Sequence, residues 1–220
     1  MKVILFGATG MVGQGVLREC LRDECVDQIL AVGRTALGQA HPKLRELSVP
    51  DLSTYDGQEN DLIGYDACFF CLGVSAAGMS EADYTRVTFG YTLAAAEILV
   101  KLNPGMTFIY VSGAGTDSTE QGRAMWARVK GRTENALLCL PFKAVYLFRP
   151  GLIRPLHDVK SKTRAYRIFY VLAWPLLPLL ACFPSLMTTT ERIGRAMLRA
   201  AREGAPKPVL ESREINELGT

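Results

Sequence analysis

Three glycines near the start of the chain have the spacing of a phosphate-binding turn. Gly7, Gly10 and Gly13 follow a short apolar run, Val3 to Phe6, and lead into apolar residues that recur at helical spacing. Glycines between a strand and a helix allow a tight turn, close approach of the backbone to a diphosphate and close helix–strand packing. The N–H groups at the start of that helix then face the phosphate. A glycine-rich turn without a ligand is the alternative. The predicted dinucleotide contacts are Gly7, Thr9, Gly10, Met11, Val12 and Gly13.

An arginine stands where a dinucleotide site distinguishes its two common cofactors. Arg34 follows the second predicted strand, 28–32, about twenty residues past the last glycine. An acidic residue at this place binds the ribose 2′-hydroxyl of NAD, whereas an arginine accommodates the 2′-phosphate of NADP. No Asp or Glu stands at the strand end, so the sequence favours NADP over NAD. A solvent-facing loop arginine would leave the same pattern.

Small and polar residues also close the other predicted strands. Gly73 ends an apolar strand, Ser112 follows the fifth strand, and Pro150 follows the sixth. Asp51 follows the third strand, where it would lie near an adenine ring or serve as an ordinary turn residue. Ligands of open parallel sheets bind at the carboxyl ends of strands. These residues are therefore predicted to share one edge with the glycine turn.

The elements that carry these residues alternate between strand and helix. Short apolar runs bounded by turn residues predict strands, and longer segments with caps and helical spacing predict helices. The alternation predicts an α/β fold, a Rossmann-type doubly wound parallel sheet, as a single NAD(P)-binding domain over residues 1–220. Strands are predicted at 3–6, 28–32, 44–49, 65–72, 106–111, 144–148 and 206–210, and helices at 80–102, 122–140 and 188–202, besides the helix after the glycine turn.

An apolar segment interrupts this order in the last third of the chain. Ala165 to Phe183 is apolar apart from Arg167 and follows the basic run 160–164. A membrane span needs about twenty apolar residues, and Pro175 and Pro178 would break a single helix here. We expect 151–190 to form a substrate lid or a subunit contact in a homodimer. Membrane-surface contact through 165–183 is a second alternative, and a true span a third.

Composition narrows the class of protein. The 220 residues are 49% hydrophobic and 21% charged, which suits one domain with a large core. The net charge of +3 comes with dispersed basic residues, so no nucleic-acid partner is expected. Six cysteines without a secretory signal indicate a reduced, cytoplasmic protein. Cys68 and Cys71 would face opposite sides of a strand, and neither histidine has ligand-like neighbours, so no metal site is predicted.

Taken in order, the motifs resemble those of the atypical and extended short-chain dehydrogenase/reductases, a family of NAD(P)H-binding oxidoreductases. The matching stretches are 7–13 (GATGMVG), 32–34 (VGR), 71–73 (CLG), 111–114 (VSGA), 129–131 (VKG) and 148–151 (FRPG). The resemblance implies a dinucleotide along the glycine turn, with Leu72 and Gly73 beside it. It also implies that Lys130 lies at the nicotinamide ribose and that the segment after Arg149 lies near the nicotinamide.

The same resemblance implies catalysis by a serine, a tyrosine and a lysine, and one of the three is replaced. Ser112 and Lys130 stand in the family's places, but the tyrosine position, four residues before the lysine, holds Trp126. An indole N–H donates a hydrogen bond but is not an acid near neutral pH. Trp126 and Lys130 share a helix face. Trp126 is therefore either a packed aromatic residue or a substrate contact.

Because Trp126 stands in place of the tyrosine, the sequence leaves three alternative functions. The first is an NADP-dependent oxidoreductase of a hydrophobic carbonyl or alcohol, in which another group or water supplies the proton. The second is a non-catalytic, NADP-binding sensor or regulator whose carboxyl-terminal segment responds to the cofactor. The third is a peripheral membrane protein anchored through 165–183.

Overall fold

The fold is built on one parallel sheet. The structure, a computed structural model, describes residues 1–157 and 185–220. Its strands are β1 Lys2–Phe6, β2 Gln28–Gly33, β3 Leu44–Ser48, β4 Ala67–Phe70, β5 Thr107–Val111, β6 Ala144–Arg149, β7 Leu152–Arg154, β8 Met187–Thr189 and β9 Val209–Glu211. Within these residues, seven strands form a sheet in the order β3-β2-β1-β4-β5-β6-β9, and every neighbouring pair is parallel. The predicted Rossmann-type sheet is confirmed, and the chain changes direction across it between β1 and β4.

Helices cover the sheet on both sides. They are α1 Met11–Arg22, α2 Glu81–Thr85, α3 Tyr91–Leu102, α4 Met125–Leu138, α5 Thr190–Glu203 and α6 Ser212–Leu218, with a short 3₁₀ turn at Glu59–Asp61. A π-helical turn, Arg86–Gly90, joins α2 to α3, so the long helix predicted at 80–102 changes its winding midway. α4 begins at Met125 rather than at 122. The Asp117 carboxylate accepts a 2.6 Å hydrogen bond from the Gly122 amide and holds that residue in a turn.

Apolar side chains fill the core on both faces of the sheet. In β1, Val3 and Leu5 face the side covered by α1, α5 and α6, whereas Ile4 and Phe6 face α3 and α4. None of these four side chains is more than 1% exposed. A parallel strand covered on both faces needs no polar alternation, which is why its sequence reads as an unbroken apolar run.

Residues 185–220 return to the same sheet. α5 packs closely along α1 through two glycines: a Cβ on Gly15 would lie 2.5 Å from Thr190 Cβ, and one on Gly194 would lie 2.9 Å from Glu19 Cγ. β9 pairs with β6 at the edge, close to the strand predicted at 206–210. The parallel pair of β7 and β8, and helix α6, are additions that the sequence pattern did not predict.

The predicted lid falls only partly within the described residues. The apolar segment 165–183 lies outside them, while 151–157 and 185–190 supply β7, β8 and the start of α5. No helix in the described ranges is both long and apolar enough to cross a membrane. Cys68 and Cys71 do lie toward opposite faces of the sheet, and the described cysteines are free thiols.

Candidate functional site

The turn between β1 and α1 is closed tightly around its glycines. Gly7 has a φ of 76°, which L side chains rarely adopt, and a Cβ there would lie 2.6 Å from the Leu72 amide nitrogen. The Gly10 amide donates to the Gly7 carbonyl at 2.9 Å. A Cβ on Gly13 would lie 2.1 Å from that same carbonyl oxygen. Backbone contacts therefore exclude side chains at Gly7 and Gly13, as predicted for a helix that begins close against its strand.

The amino-terminal end of α1, which is the positive end of the helix dipole, has no capping side chain and no acidic residue beside it. Gly10 caps the helix in an extended conformation without a side-chain hydrogen bond, and the first turn contains no acidic residue. The Thr9 carbonyl accepts from Gln14 Nε2 at 3.0 Å and so faces the helix. The first turn of the helix offers no acceptor to the backbone amides of Met11, Val12 and Gly13. Such groups attract an anion, and the glycine cradle fits the diphosphate of a dinucleotide.

The neighbouring strand ends leave space beside this turn. A Cβ on the exposed Gly73 would meet nothing within 4 Å, whereas Leu72 is half-buried and packs against the core beneath α3. The carbonyl of the buried Pro150 accepts from the Ala114 amide at 2.9 Å, which ties the loop after β5 to the end of β6. The predicted contacts Leu72, Gly73 and Pro150 thus lie at the same sheet edge as the glycine turn.

Arg34 and Asp51 differ in how they are held. Arg34 is exposed directly after β2 and makes no hydrogen bond or ion pair with residues 1–157 or 185–220. The exposed Asp51 carboxylate accepts from Ser53 N at 2.9 Å and from Ser53 Oγ at 2.7 Å. These bonds, the backbone one first, keep the pKa of Asp51 below its ordinary value. Arg34 is therefore free to meet a phosphate, while Asp51 has the contacts of a turn residue.

Helix α4 presents Lys130 and Trp126 to the loop after β5. Lys130 Nζ donates to the Ser112 carbonyl oxygen. Burial lowers the pKa of Lys130 to about 8, and the Glu134 carboxylate opposes that shift. One turn earlier, the half-buried Trp126 ring lies beside Gly115, where an added Cβ would be 3.5 Å from the indole. The structure thus brings the predicted lysine and tryptophan together at the carboxyl end of β5.

Ser112 is turned inward, toward Glu134 of α4. The residue is buried, and its hydroxyl donates to Glu134 Oε1 at 2.5 Å, with the Phe148 carbonyl at 3.2 Å as a second acceptor. The side chain continues the alternation of Phe108 and Tyr110 along β5, so it points toward α4. A serine that orients a substrate carbonyl needs a free hydroxyl. The Ser112 hydroxyl is thus bound by Glu134 and Phe148 in this structure, and its substrate-orienting role stays a prediction.

Glu134 is the central polar residue of this region, and the sequence prediction missed it. Its carboxylate is 1% exposed and accepts from Arg149 Nε at 3.0 and 3.2 Å. Arg149 Nη2 contacts the same carboxylate and donates to Ser118 Oγ at 2.6 Å. The bonds to Glu134 raise the pKa of Arg149. The available signal was spacing, because Glu134 follows Lys130 by four residues and so shares its helix face.

Three tyrosines of the neighbouring elements are buried or half-buried. Tyr84 and Tyr110 are at most 2% exposed, and burial raises the pKa of both phenols. Tyr91 is half-buried against the core beneath α3.

Among the described residues, no group of three or more His, Cys, Asp or Glu side chains is arranged to hold a metal ion.

A glycine turn at the point where the strand order reverses is the arrangement of the dinucleotide-binding Rossmann fold. DesIV, a dTDP-glucose 4,6-dehydratase from Streptomyces venezuelae with NAD and TYD bound, shares the fold at a TM-score of 0.70 and 14% identity, covering 100% of this chain and 80% of that one. UDP-glucose 4-epimerase from Thermotoga maritima follows at a TM-score of 0.65 and 14% identity, covering 100% and 81%. The chain therefore shares its fold with this dehydratase and this epimerase.

Two curated relatives narrow the comparison. The chain is 28% identical over 152 residues to protein FMP52-2, mitochondrial, of Scheffersomyces stipitis, and 28% identical over 154 residues to protein HTATIP2 of Rattus norvegicus. The matches cover 68% and 69% of this chain but 65% and 62% of the relatives, so the chain spans less than two thirds of their length. No protein-family model matches. The predicted resemblance to atypical short-chain dehydrogenase/reductases is confirmed.

Proposed function

We propose that the protein is an NADP-dependent oxidoreductase that acts on a hydrophobic carbonyl or alcohol. The observation that carries this proposal is the placement of Lys130 at the carboxyl end of β5, on the sheet edge that holds the glycine cradle. A bound nicotinamide would supply the hydride chemistry. The chain's own groups would bind the diphosphate at the start of α1, hold the ribose through Lys130 and exchange a proton at Lys130 Nζ.

The state of Lys130 supports a role in proton transfer. A pKa of about 8 keeps both the ammonium and the amine populated near neutral pH, which is the condition for an efficient general acid or base. The Trp126 indole supplies an apolar wall and a hydrogen-bond donor but no transferable proton. Together they suit a site that accepts an apolar carbonyl compound and uses the lysine, directly or through water, as its proton source.

The preference for NADP rests on Arg34. Its side chain is exposed at the end of β2 and makes no ion pair or hydrogen bond with any described residue. A guanidinium group binds a phosphate dianion through paired hydrogen bonds. NAD is the nucleotide bound in DesIV and in the Bordetella bronchiseptica enzyme WbmF, so the choice between the two cofactors requires a direct comparison.

The activity is tested by a screen of apolar aldehydes and ketones with NADPH. We expect steady oxidation of NADPH with at least one compound, and loss of that rate in Lys130→Met. Tight NADPH binding without turnover of any compound would contradict the enzymatic proposal. That result would favour the second candidate, a non-catalytic NADP-binding regulator, for which the replacement of the usual tyrosine by Trp126 is the favouring observation.

The regulatory alternative has its own test. If NADPH orders the carboxyl-terminal segment for a partner, the cofactor should change the pattern of limited proteolysis within 151–190. An unchanged pattern at saturating NADPH would remove this alternative.

The predicted lid, membrane-surface contact and homodimer remain proposals, because they involve 165–183. Sedimentation with liposomes tests the membrane contact, and light scattering tests the dimer. A cytoplasmic location is likewise a proposal. The Scheffersomyces stipitis relative is named a mitochondrial protein, so cell fractionation should compare both compartments.

A further inference from the structure

A cavity lies away from the proposed cofactor contacts, between β8, the start of α5 and residues 219–220. Its volume is about 400 Å³, which is within the range of small-molecule sites. None of the residues predicted to contact the dinucleotide lines it. The residues that do are Arg154, Leu156, Met187, Thr188, Thr189, Glu191, Arg192, Arg195, Gly219 and Thr220.

The walls of this cavity are fixed by hydrogen bonds and close backbone contact. The Leu156 amide donates to Thr190 Oγ1 at 3.2 Å, which joins the chain after β7 to the first turn of α5. Asn216 Nδ2 donates to the Met187 carbonyl at 2.8 Å, which joins α6 to β8. A Cβ on Gly219 would lie 2.3 Å from the Arg192 carbonyl oxygen. The cavity is therefore built between elements that hold one another in place.

Three arginines supply its positive charge. Arg154 and Arg192 make no side-chain hydrogen bond or ion pair with residues 1–157 or 185–220. Arg195 is paired, at 2.6 Å to Glu191 and at 3.2 Å to Glu19. Two guanidinium groups with unused donors thus line the same space. Guanidinium groups bind phosphate oxygens in forked, charge-assisted pairs.

A buried hydroxyl in the wall adds a second, independent observation. Thr188 is 1% exposed, and its Oγ1 has no hydrogen-bond partner among residues 1–157 and 185–220. A buried polar atom without a partner is unfavourable, and a ligand oxygen in the cavity would remove that deficit. The neighbouring Thr189 hydroxyl is already used, since it accepts from the Arg192 amide at 3.1 Å as the cap of α5.

The acidic side chain in the lining, Glu191, does not cancel the positive charge of the arginines. Glu191 is bound by His157 Nε2 at 2.6 Å and by Arg195, and Arg18 lies 3.9 Å away. Its contacts, led by the hydrogen bond to His157, lower the pKa of its carboxyl. Glu191 is thus already neutralised, while Arg154 and Arg192 are not.

We propose that this cavity binds a soluble small molecule through a phosphate group, held by Arg154, Arg192 and the Thr188 hydroxyl. The cavity is larger than a phosphate ion needs, so the natural ligand carries an organic portion that lies along Leu156 and Met187. None of the residues proposed to bind the dinucleotide belongs to this site, so it would exist in a purely cofactor-binding protein as well.

The test uses inorganic phosphate as the probe and the melting temperature of the full chain as the readout, at constant ionic strength against chloride. We expect phosphate at a hundredfold excess over its Kd to raise Tm by about 5 °C. The double variant Arg154→Gln/Arg192→Gln should lose this shift, and Thr188→Val, which removes only the hydroxyl, should weaken phosphate binding. Arg199→Gln is the matched control, because Arg199 lies on the same helix outside this cavity and pairs with Glu203 at 3.0 Å.

Two outcomes would overturn the proposal. The first is that phosphate fails to raise the Tm of the wild type, or raises the Tm of the double variant equally. An equal rise in the double variant would mean that phosphate binds at another site, such as the start of α1. The second concerns the source of the phosphate. If vesicles of phosphatidylcholine with phosphatidic acid bind through Arg154 and Arg192 while inorganic phosphate has no effect, the ligand is a lipid headgroup rather than a soluble molecule.

Discussion

Lys130 is surrounded by groups that act on its charge in opposite directions. Burial disfavours the ammonium form and lowers the pKa to about 8, while the Glu134 carboxylate one helical turn later favours it. The Ser112 carbonyl oxygen accepts a hydrogen bond from Lys130 Nζ and so holds the amino group beside the end of β5. The lysine thus lies at the meeting point of β5 and α4 with a protonation state that changes near neutral pH.

The titration of Lys130 can be measured without a substrate. We expect its modification by a small acylating reagent to rise with pH with a midpoint near 8, because only the neutral amine reacts. Peptide mass spectrometry after a short pulse at each pH gives this midpoint. Glu134→Gln should lower it further, since the carboxylate that favours the ammonium form is removed. A midpoint near 10.5, the ordinary lysine value, would show that burial does not perturb this group.

Trp126 stands where a proton-donating phenol would complete the site. We expect Trp126→Tyr to raise turnover of an accepted carbonyl compound by about 10²-fold, the lower end of general acid catalysis. Trp126→Phe is the matched control, because it keeps an aromatic ring beside Gly115 but adds no acid. NADPH oxidation by the three proteins under one set of conditions provides the comparison. Equal rates for the tyrosine and phenylalanine variants would mean that the missing phenol is not what limits the reaction.

The β1–α1 unit depends on backbone contact at Gly13. A methyl group there would lie 2.1 Å from the Gly7 carbonyl oxygen, so α1 must move away from β1 in Gly13→Ala. We expect a loss of about 1–3 kcal/mol in the free energy of unfolding, as for other overpacked sites, together with weaker dinucleotide binding. Urea denaturation measures the first and cofactor titration the second.

Gly105→Ala serves as the control for that variant. Gly105 follows α3, and an added Cβ there would meet nothing within 4 Å. Its stability should stay close to that of the wild type. If Gly13→Ala were as stable as Gly105→Ala and bound cofactor normally, the tight turn would not be needed for either property.

The elements most visible in the sequence are those whose pattern is local. Val3 to Phe6 is an apolar run that ends in glycine, so both the strand and the start of α1 could be predicted. The end of β2 at Gly33 likewise placed Arg34 at the carboxyl edge. In each case, neighbouring residues carry the whole signal, because turn geometry and burial on both faces are determined within a few residues.

The features that could not be predicted depend on contacts between distant residues. Glu134, Arg149 and Ser112 form one hydrogen-bonded group only after α4 has packed beside β5 and β6. This packing also directs the Ser112 hydroxyl inward. β7 and β8 have three residues each and pair across a long stretch of chain. Strands of that length have no periodicity from which to recognise them.

On the scale of the whole molecule, residues 185–220 pack into the same core as the first strand and helix of the chain. Ile193 and Met197 of α5, Leu210 of β9 and Ile215 of α6 are all fully buried in the core on the α1 side of the sheet. We expect the full chain to unfold in one cooperative transition, because these contacts tie both ends of the sequence to the same sheet. Urea transitions followed by far-UV circular dichroism and by tryptophan fluorescence should coincide. Two separated transitions would divide the chain into independent units.

The most direct measurement of the central claim is calorimetric titration of the purified full chain with NADPH and NADH. We expect one NADPH bound per chain and tighter binding of NADPH than of NADH. Arg34→Ala should lower only the NADPH affinity, by about 10–100-fold, since hydrogen bonds to a charged group contribute about 1.5–3 kcal/mol. Arg45→Ala is the control, because Arg45 is an exposed β3 arginine that pairs with Asp61 at 3.3 Å. No binding of either nucleotide would contradict the dinucleotide site, and equal losses for both nucleotides in Arg34→Ala would contradict the NADP preference.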